Sequence, residues 1–167
     1  MFAMRYFANP KTVGSIFPSS RQLSRQIADQ VSKFDPTYRL VEFGPGTGTI
    51  TALLPENTVC IELDKVFVEF LAAKFPQRKI LHCDIVEYLS YLQEPINVVS
   101  SIPLIGNPES TKIRAAVNEA YNEGLIQSLI TYSYGTKSPF SGCNFKEEIR
   151  LKLVLFNIPP ASIWVYS

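Results

Sequence analysis

The chain has 167 residues, of which 46% are hydrophobic and 12% aromatic, so it can bury the core of one domain and is not a disordered chain. Its longest apolar runs are far too short to cross a bilayer, and its first ten residues lack the apolar stretch of a signal peptide. The formal net charge is +1, but residues 1–33 carry five basic side chains and one acidic one, whereas acids outnumber bases in the rest.

The first predicted element is a helix over residues 19–33, where Leu23, Ile27 and Val31 recur on one face. Strands and helices then alternate as far as residue 132. The predicted strands are 39–43, 58–62, 79–82, 96–101 and 125–132. The predicted helices are a short one that ends near Pro55, one capped by Asp64, one over 85–92, and one that begins at Asn107 and Pro108 and ends at Gly124. This alternation predicts a parallel sheet with helices on both faces.

The end of the chain departs from this alternation. Residues 150–156 and 162–166 are both rich in strand-forming side chains, and the short segment between them leaves no room for a helix. Two strands joined so closely pair as an antiparallel hairpin. The sequence therefore predicts a Rossmann-like α/β fold, with a mostly parallel sheet of seven strands and a C-terminal antiparallel hairpin.

A glycine-rich segment, Val-Glu-Phe-Gly-Pro-Gly-Thr-Gly at residues 41–48, joins the first strand to the short helix that follows. Glycines in such a turn let the backbone bend sharply and approach a ligand closely. Glu62 ends the second strand and Asp84 follows the third, at the edge where an open α/β sheet binds ligands. Glu62 stands where the hydroxyls of an adenosine ribose are held. Asp84 can accept from an adenine amino group or, alternatively, cap a helix.

The spacing of the glycines distinguishes between adenosine cofactors. A dinucleotide fingerprint needs its third glycine at position 49, which is Thr49 here, and no P-loop sequence is present. Glu42 would repel a pyrophosphate but suits the positive methionine end of S-adenosylmethionine. We therefore expect S-adenosylmethionine as cofactor and S-adenosylhomocysteine as product. The three cysteines are widely spaced and form no metal pattern, so we expect reduced thiols and no metal site.

The glycine-rich segment resembles motif I of class I methyltransferases, in the form shared by bacterial phospholipid N-methyltransferases and ribosomal RNA adenine dimethylases. Residues 9–21, 127–132 and 157–166 resemble segments of the phospholipid enzymes. The resemblance covers nearly the whole chain and implies an enzyme that methylates the amino head group of phosphatidylethanolamine-type lipids. It implies a cytoplasmic protein, peripheral at the inner membrane. Residues 34–167 would form the cofactor-binding domain and residues 1–33 a helical cover over the substrate. The basic and aromatic side chains of this cover suit contact with an anionic membrane or nucleic acid, and alternatively the segment is a solvated helix over the core.

The resemblance also implies which residues form the site. Those implied for the cofactor are Glu42, Gly44, Pro45, Gly46, Thr47, Gly48, Glu62, Leu63, Asp84, Ile85 and Ser101. Those implied for catalysis are Ser101, Ile102, Pro103 and Tyr132. Carbonyls around Ser101 and Ile102 would orient the amine, and the rings of Tyr6, Tyr132 and Tyr134 would contact a cationic head group.

One departure concerns the substrate. The RNA enzymes have Asn-Leu-Pro-Tyr or Asn-Pro-Pro-Tyr where this chain has Ser101-Ile102-Pro103-Leu104. In those enzymes the Asn and a carbonyl hold the target amino group, and the aromatic ring stacks on the flipped base. Loss of both side chains favours a phospholipid amine over nucleic acid as the partner. Two alternatives stay open, namely an RNA adenine N6-methyltransferase and a methyltransferase fold that serves as a non-catalytic binding module.

Overall fold

The computed structural model describes residues 18–154 and 160–167 of the chain, and within them seven strands form one sheet. The strands are β1 (Arg39–Phe43), β2 (Val59–Glu62), β3 (Ile80–His82), β4 (Ile96–Ser100), β5 (Ile126–Tyr134), β6 (Glu148–Val154) and β7 (Ala161–Tyr166). The helices are α1 (Pro18–Val31), α2 (Lys65–Lys74), α3 (Ile85–Ser90) and α4 (Ser110–Asn122), and Thr51–Leu53 form a single 3-10 turn.

The order of the strands across the sheet is β3-β2-β1-β4-β5-β7-β6. The first five strands are parallel, and β7 is inserted antiparallel between β5 and β6. The chain reverses its direction of winding between β1 and β4, and such a switch point opens a crevice at the carboxyl ends of the two strands. The predicted Rossmann-like fold, with seven strands and a C-terminal antiparallel hairpin, is confirmed.

Helices cover both faces of the sheet. On one face, Leu23, Ile27 and Val31 of α1 pack against a cluster that includes Ile130 and Ile163, as the spacing of the three residues predicts. On the other face, α3 and α4 pack against a larger cluster centred on β1, β4 and β5. A side chain such as Ile27, which is fully buried, contributes roughly 1.5–3 kcal/mol through burial of its apolar surface. Helix α1 is therefore part of the core of this sheet.

Two helix predictions need correction. The predicted short helix before Pro55 is only a 3-10 turn, because Leu54 is extended (φ −84°, ψ 159°), as a residue that precedes proline prefers. Asn107 and Pro108 do not begin α4. The Asn107 side chain accepts a hydrogen bond from the backbone N–H of Glu109 at 2.9 Å, which closes a turn, and α4 begins at Ser110.

Several sequence predictions lie outside the described residues. They concern Tyr6, residues 9–17 of the first segment that resembles the phospholipid enzymes, the first half of the basic cover at residues 1–33, and the link between the last two strands. The division of the chain at residue 33 stays a prediction. Among the described residues, no helix combines the length and the apolar character that a membrane span requires.

Candidate functional site

The glycine turn, residues 44–48, lies directly after β1 and contains three glycines with positive φ. Their φ values are +65° at Gly44, +54° at Gly46 and +74° at Gly48, a region that favours glycine. A Cβ at Gly44 would lie 2.7 Å from Cγ1 of Ile102, and one at Gly48 would lie 2.5 Å from the Phe75 ring. These two glycines are therefore also required by packing. A Cβ at Gly46 would meet no atom within 4 Å, so the middle of the turn faces open space.

Glu62, at the end of β2, connects that strand to the glycine turn. One carboxylate oxygen accepts from the backbone N–H of Gly46 at 3.1 Å, and the other accepts from the backbone N–H of Asp64 at 3.0 Å. The side chain is held by backbone donors and is only 7% exposed. A carboxylate oxygen has more than one lone pair, so each can still accept from a ligand hydroxyl.

Glu42, on β1, is fully buried and is held by side chains instead. Its Oε2 accepts from the Thr51 hydroxyl at 2.7 Å, and its Oε1 accepts from the Ser101 hydroxyl at 2.9 Å. The Cys60 thiol also points to Oε2, at 3.9 Å. Burial raises the pKa of Glu42 to about 7, although the bonds from Thr51 and Ser101 act in the opposite direction. Near neutral pH the carboxyl group is thus poised between its neutral and ionised forms.

Ser101 follows β4 and is the partly exposed end of this buried network. Its backbone N–H donates to the Phe43 carbonyl at 2.9 Å, so its position is fixed relative to β1. Because its hydroxyl hydrogen is directed at Glu42, the lone pairs of Oγ remain as acceptors. Ile102 packs over Gly44, and Pro103 is half-buried. Leu104 is only 1% exposed and belongs to the core, so this position offers no surface for stacking on a base.

Asp84 follows β3, as predicted, but has no hydrogen bond to the two glutamates. It is exposed, and its carboxylate caps α3 by accepting from the backbone N–H of Val86 at 2.7 Å. The helix-cap alternative considered for Asp84 thus describes its local contact. Leu63, next to Glu62, is 61% exposed, whereas Ile85 is partly buried against the core.

Tyr132 and Tyr134 lie on one face near the carboxyl end of β5. Their rings meet edge to face, with centroids 6.0 Å apart. Burial raises the pKa of Tyr132 far above its usual range, with additional contributions from Tyr134 and Glu42, so the hydroxyl stays protonated. Tyr134 is 47% exposed and presents aromatic surface three residues beyond Thr131, which pairs with the last residue of β4.

Two residues of this region are missing from the sequence prediction. Thr51 donates to Glu42 from the 3-10 turn, and Lys74 of α2 donates to the Thr47 carbonyl at 2.9 Å across the glycine turn. Thr51 is fully buried. Its place as a polar residue in the apolar run Ile50–Leu54 is the one sequence signal that could have indicated it. Lys74 has no such signal, because it depends on how α2 packs.

No protein-family model matches the chain. Among curated proteins, ribosomal RNA small subunit methyltransferase A of Fusobacterium nucleatum is 29% identical over 127 residues, which cover 69% of this chain and 48% of the relative. The protein of the same name from Malacoplasma penetrans is 29% identical over 87 residues, which cover 50% of this chain and 31% of the relative. The chain thus spans less than half the length of the curated relatives it matches.

Solved structures of methyltransferases share the fold. The 23S rRNA methyltransferase ErmE has a TM-score of 0.63 and 19% identity, over 87% of this chain and 67% of that one. A putative methyltransferase from Escherichia coli, yhhF, has a TM-score of 0.66 and 12% identity, over 90% of this chain and 86% of that one. The chain therefore has the fold of class I S-adenosylmethionine-dependent methyltransferases, as the sequence predicted.

The predicted partner is wrong. The sequence analysis favoured a phospholipid amine and a peripheral contact of residues 1–33 with an anionic membrane, and it kept an RNA adenine methyltransferase only as an alternative. The curated relatives are instead named for methylating ribosomal RNA. The reason for the error is physical: the loss of Asn and Tyr in the segment at residues 101–104 changes how an amine is held, but it does not identify a different substrate.

Proposed function

We propose that the chain is an S-adenosylmethionine-dependent methyltransferase that acts on RNA, with the amino group of an adenine as the methyl acceptor. The fold and the methyltransferase relatives support the enzyme class and the cofactor. The relatives' names support the RNA substrate. The proposal rests on one structural observation, the hydrogen bond from the backbone N–H of Gly46 to Glu62. This bond holds a carboxylate beside a turn that is open at Gly46.

The residues present fit this cofactor. Glu62 retains lone pairs for the two ribose hydroxyls, and the open surface at Gly46 leaves room for the chain that carries the methionine group. The ionised form of Glu42, below Ser101, supplies a negative potential for the positive methionine end. Leu63 offers exposed apolar surface for the adenine ring, and Asp84 a carboxylate for its amino group.

The cofactor supplies a methyl group that is already activated on a sulfonium, so the protein's work is to position the acceptor and exclude water. We assign Ser101 to accept a hydrogen bond from the acceptor amine through Oγ. Glu42 is a positioning residue, because it fixes the direction of the Ser101 hydroxyl from below. Carbonyl groups near Ser101 and Ile102 provide further acceptors that turn the nitrogen lone pair toward the methyl group.

The acceptor base needs an aromatic surface, and Leu104 does not offer one. Tyr134 is half-exposed at the end of β5, which pairs directly with β4, and its ring is backed by Tyr132. We assign Tyr134 to stack on the base in this site, since base–aromatic stacking does not depend on which base is present.

The test is a transfer assay with labelled S-adenosylmethionine and three acceptors: unmethylated small-subunit ribosomal RNA, the same RNA already methylated, and buffer alone. We expect label only in the unmethylated RNA. A parallel titration with S-adenosylhomocysteine separates failure modes. Binding without transfer to RNA would favour the non-catalytic module, and no binding would reject the methyltransferase assignment altogether. The cytoplasmic location stays a prediction.

A further inference from the structure

A cavity of about 570 Å³ opens beside the segment that follows β4. We define it as the basic pocket, and its lining includes Leu104, Ser110, Arg114, Lys137, Ser138 and Ser141. It has two cationic side chains and three hydroxyls over an apolar floor. We propose that the basic pocket binds an internucleotide phosphate of the RNA substrate, next to the nucleotide that is methylated. This inference rests on the proposed function.

The walls of the pocket are fixed by hydrogen bonds between distant segments. Arg114, on α4, donates through Nε to the Pro139 carbonyl at 2.6 Å and so holds the loop after β5 against the helix. The Ser133 hydroxyl donates to the Lys137 carbonyl at 2.8 Å, and the hydroxyls of Ser138 and Tyr166 are 2.9 Å apart. These bonds fix the Arg114 side chain and the backbone that carries Lys137, without a ligand.

The two cations of the pocket have no ion-pair partner among the described residues. Within residues 18–154 and 160–167, neither Arg114 nor Lys137 has an ion pair with an acid, and Glu109, five residues before Arg114, is paired with Lys112 at 2.9 Å. The Nε–H of Arg114 is used by Pro139, so the two terminal nitrogens of the guanidinium remain as a fork of donors. A guanidinium fork, an ammonium and hydroxyls together match the oxygens of a phosphate.

The position of the pocket relates it to the acceptor site. Leu104, in its lining, is three residues after Ser101, so their Cα atoms are at most about 11 Å apart. Gly106, also in the lining, has φ +79° and open space where a Cβ would stand, so the pocket is open on this side. An RNA chain that places its target base above Ser101 would therefore bring a neighbouring phosphate to Arg114 and Lys137.

The experiment measures binding of unmethylated small-subunit ribosomal RNA to the full chain at several salt concentrations. Lys137→Gln is the main variant, since Lys137 is exposed and its side chain makes no hydrogen bond among the described residues. Arg114→Gln is the second, and Lys79→Gln, exposed at the opposite end of the sheet, is the matched control. The affinity for RNA falls as salt rises, and loss of one phosphate contact makes the slope of log K against log salt concentration less steep by roughly 0.7–0.9. We expect this decrease in both pocket variants and an unchanged slope in Lys79→Gln.

Two further measurements separate this inference from the proposed function. S-Adenosylhomocysteine affinity should be unchanged in all three variants, which shows that the fold and the cofactor site are intact. Inorganic phosphate, at matched ionic strength, should compete with RNA for the wild type and not for Lys137→Gln. Slopes that stay at the wild-type value in both pocket variants would overturn the phosphate site, while methyl transfer by the wild type still stands. Failure of the wild type to bind or methylate any RNA would reject the proposed function, and the phosphate site with it.

Discussion

Two glutamates, at the ends of neighbouring strands, are held in different ways. Glu62 accepts from two backbone N–H groups, whose directions are fixed by the fold. Glu42 accepts from the hydroxyls of Thr51 and Ser101, which can rotate to donate or to accept. The contacts of Glu62 therefore have fixed directions, whereas the surroundings of Glu42 tolerate either protonation state. In the proposed function, Glu62 would fix the cofactor and Glu42 would respond to it.

The largest expected effect is on stability, through Glu42. Its pKa is about 7 in the fold and near 4.5 when exposed, so the folded state binds the extra proton between these pH values. Stability from this group is therefore full below pH 4.5, falls as the pH rises to about 7, and is constant above. The shift corresponds to about 3 kcal/mol. The free energy of unfolding of Glu42→Gln, measured in urea, should not show this fall. The difference in stability between Glu42→Gln and the wild type should therefore grow in favour of the variant as the pH rises from 4.5 to 7.

The exposed acid Glu69 provides the control, because Glu69→Gln changes charge on the surface of α2 and should leave the pH dependence of the wild type unchanged. If the wild type and Glu42→Gln lose stability in parallel across this pH range, Glu42 is not a buried acid that takes up a proton on folding.

Cofactor affinity should depend most on Glu62. Glu62→Ala removes the acceptor for the backbone N–H groups of Gly46 and Asp64 and the proposed acceptor for the ribose. Hydrogen bonds to a charged group contribute about 2 kcal/mol, so the Kd for S-adenosylhomocysteine should rise about 30-fold in calorimetry. Glu94→Ala, which removes an exposed acid paired with Arg39, should bind as the wild type does. Equal affinities of Glu62→Ala and Glu94→Ala would remove Glu62 from the cofactor site.

The sequence predicts one half of this comparison better than the other. The glycines at 44, 46 and 48, Glu42 and Glu62 could be found because each lies at or just after the end of a predicted strand. Two partners of Glu42 could not, since Thr51 reaches it only through the path of the chain after the turn, and Cys60 only through the register that sets β2 beside β1. The basic pocket is harder still. Arg114 and Lys137 are 23 positions apart in the sequence, and only the packing of a loop against α4 brings them together.

Turnover should be sensitive to Ser101, with a smaller effect than the loss of Glu62. Ser101→Ala removes the proposed acceptor for the amine and one donor to Glu42. We expect kcat on RNA to fall about 10-fold, which corresponds to about 1.4 kcal/mol, with little change in S-adenosylhomocysteine affinity. Ser101→Thr keeps the hydroxyl and should retain most of the activity. A rise in KM with an unchanged kcat would instead indicate that Ser101 contributes only to binding.

The smallest effect is expected at Thr51, and it separates the two ways of holding a glutamate. Thr51→Val keeps the shape but removes the hydroxyl that donates to Glu42 at 2.7 Å, at a cost of about 1 kcal/mol. That hydrogen bond lowers the pKa of Glu42, so its loss should raise this pKa. The stability of Thr51→Val should then keep falling to a pH above 7. Thr51→Ser should restore the wild-type pH dependence, because it returns the donor. If Thr51→Val and Thr51→Ser titrate alike, burial alone sets the protonation of Glu42, and the rotating hydroxyls are not what distinguishes it from Glu62.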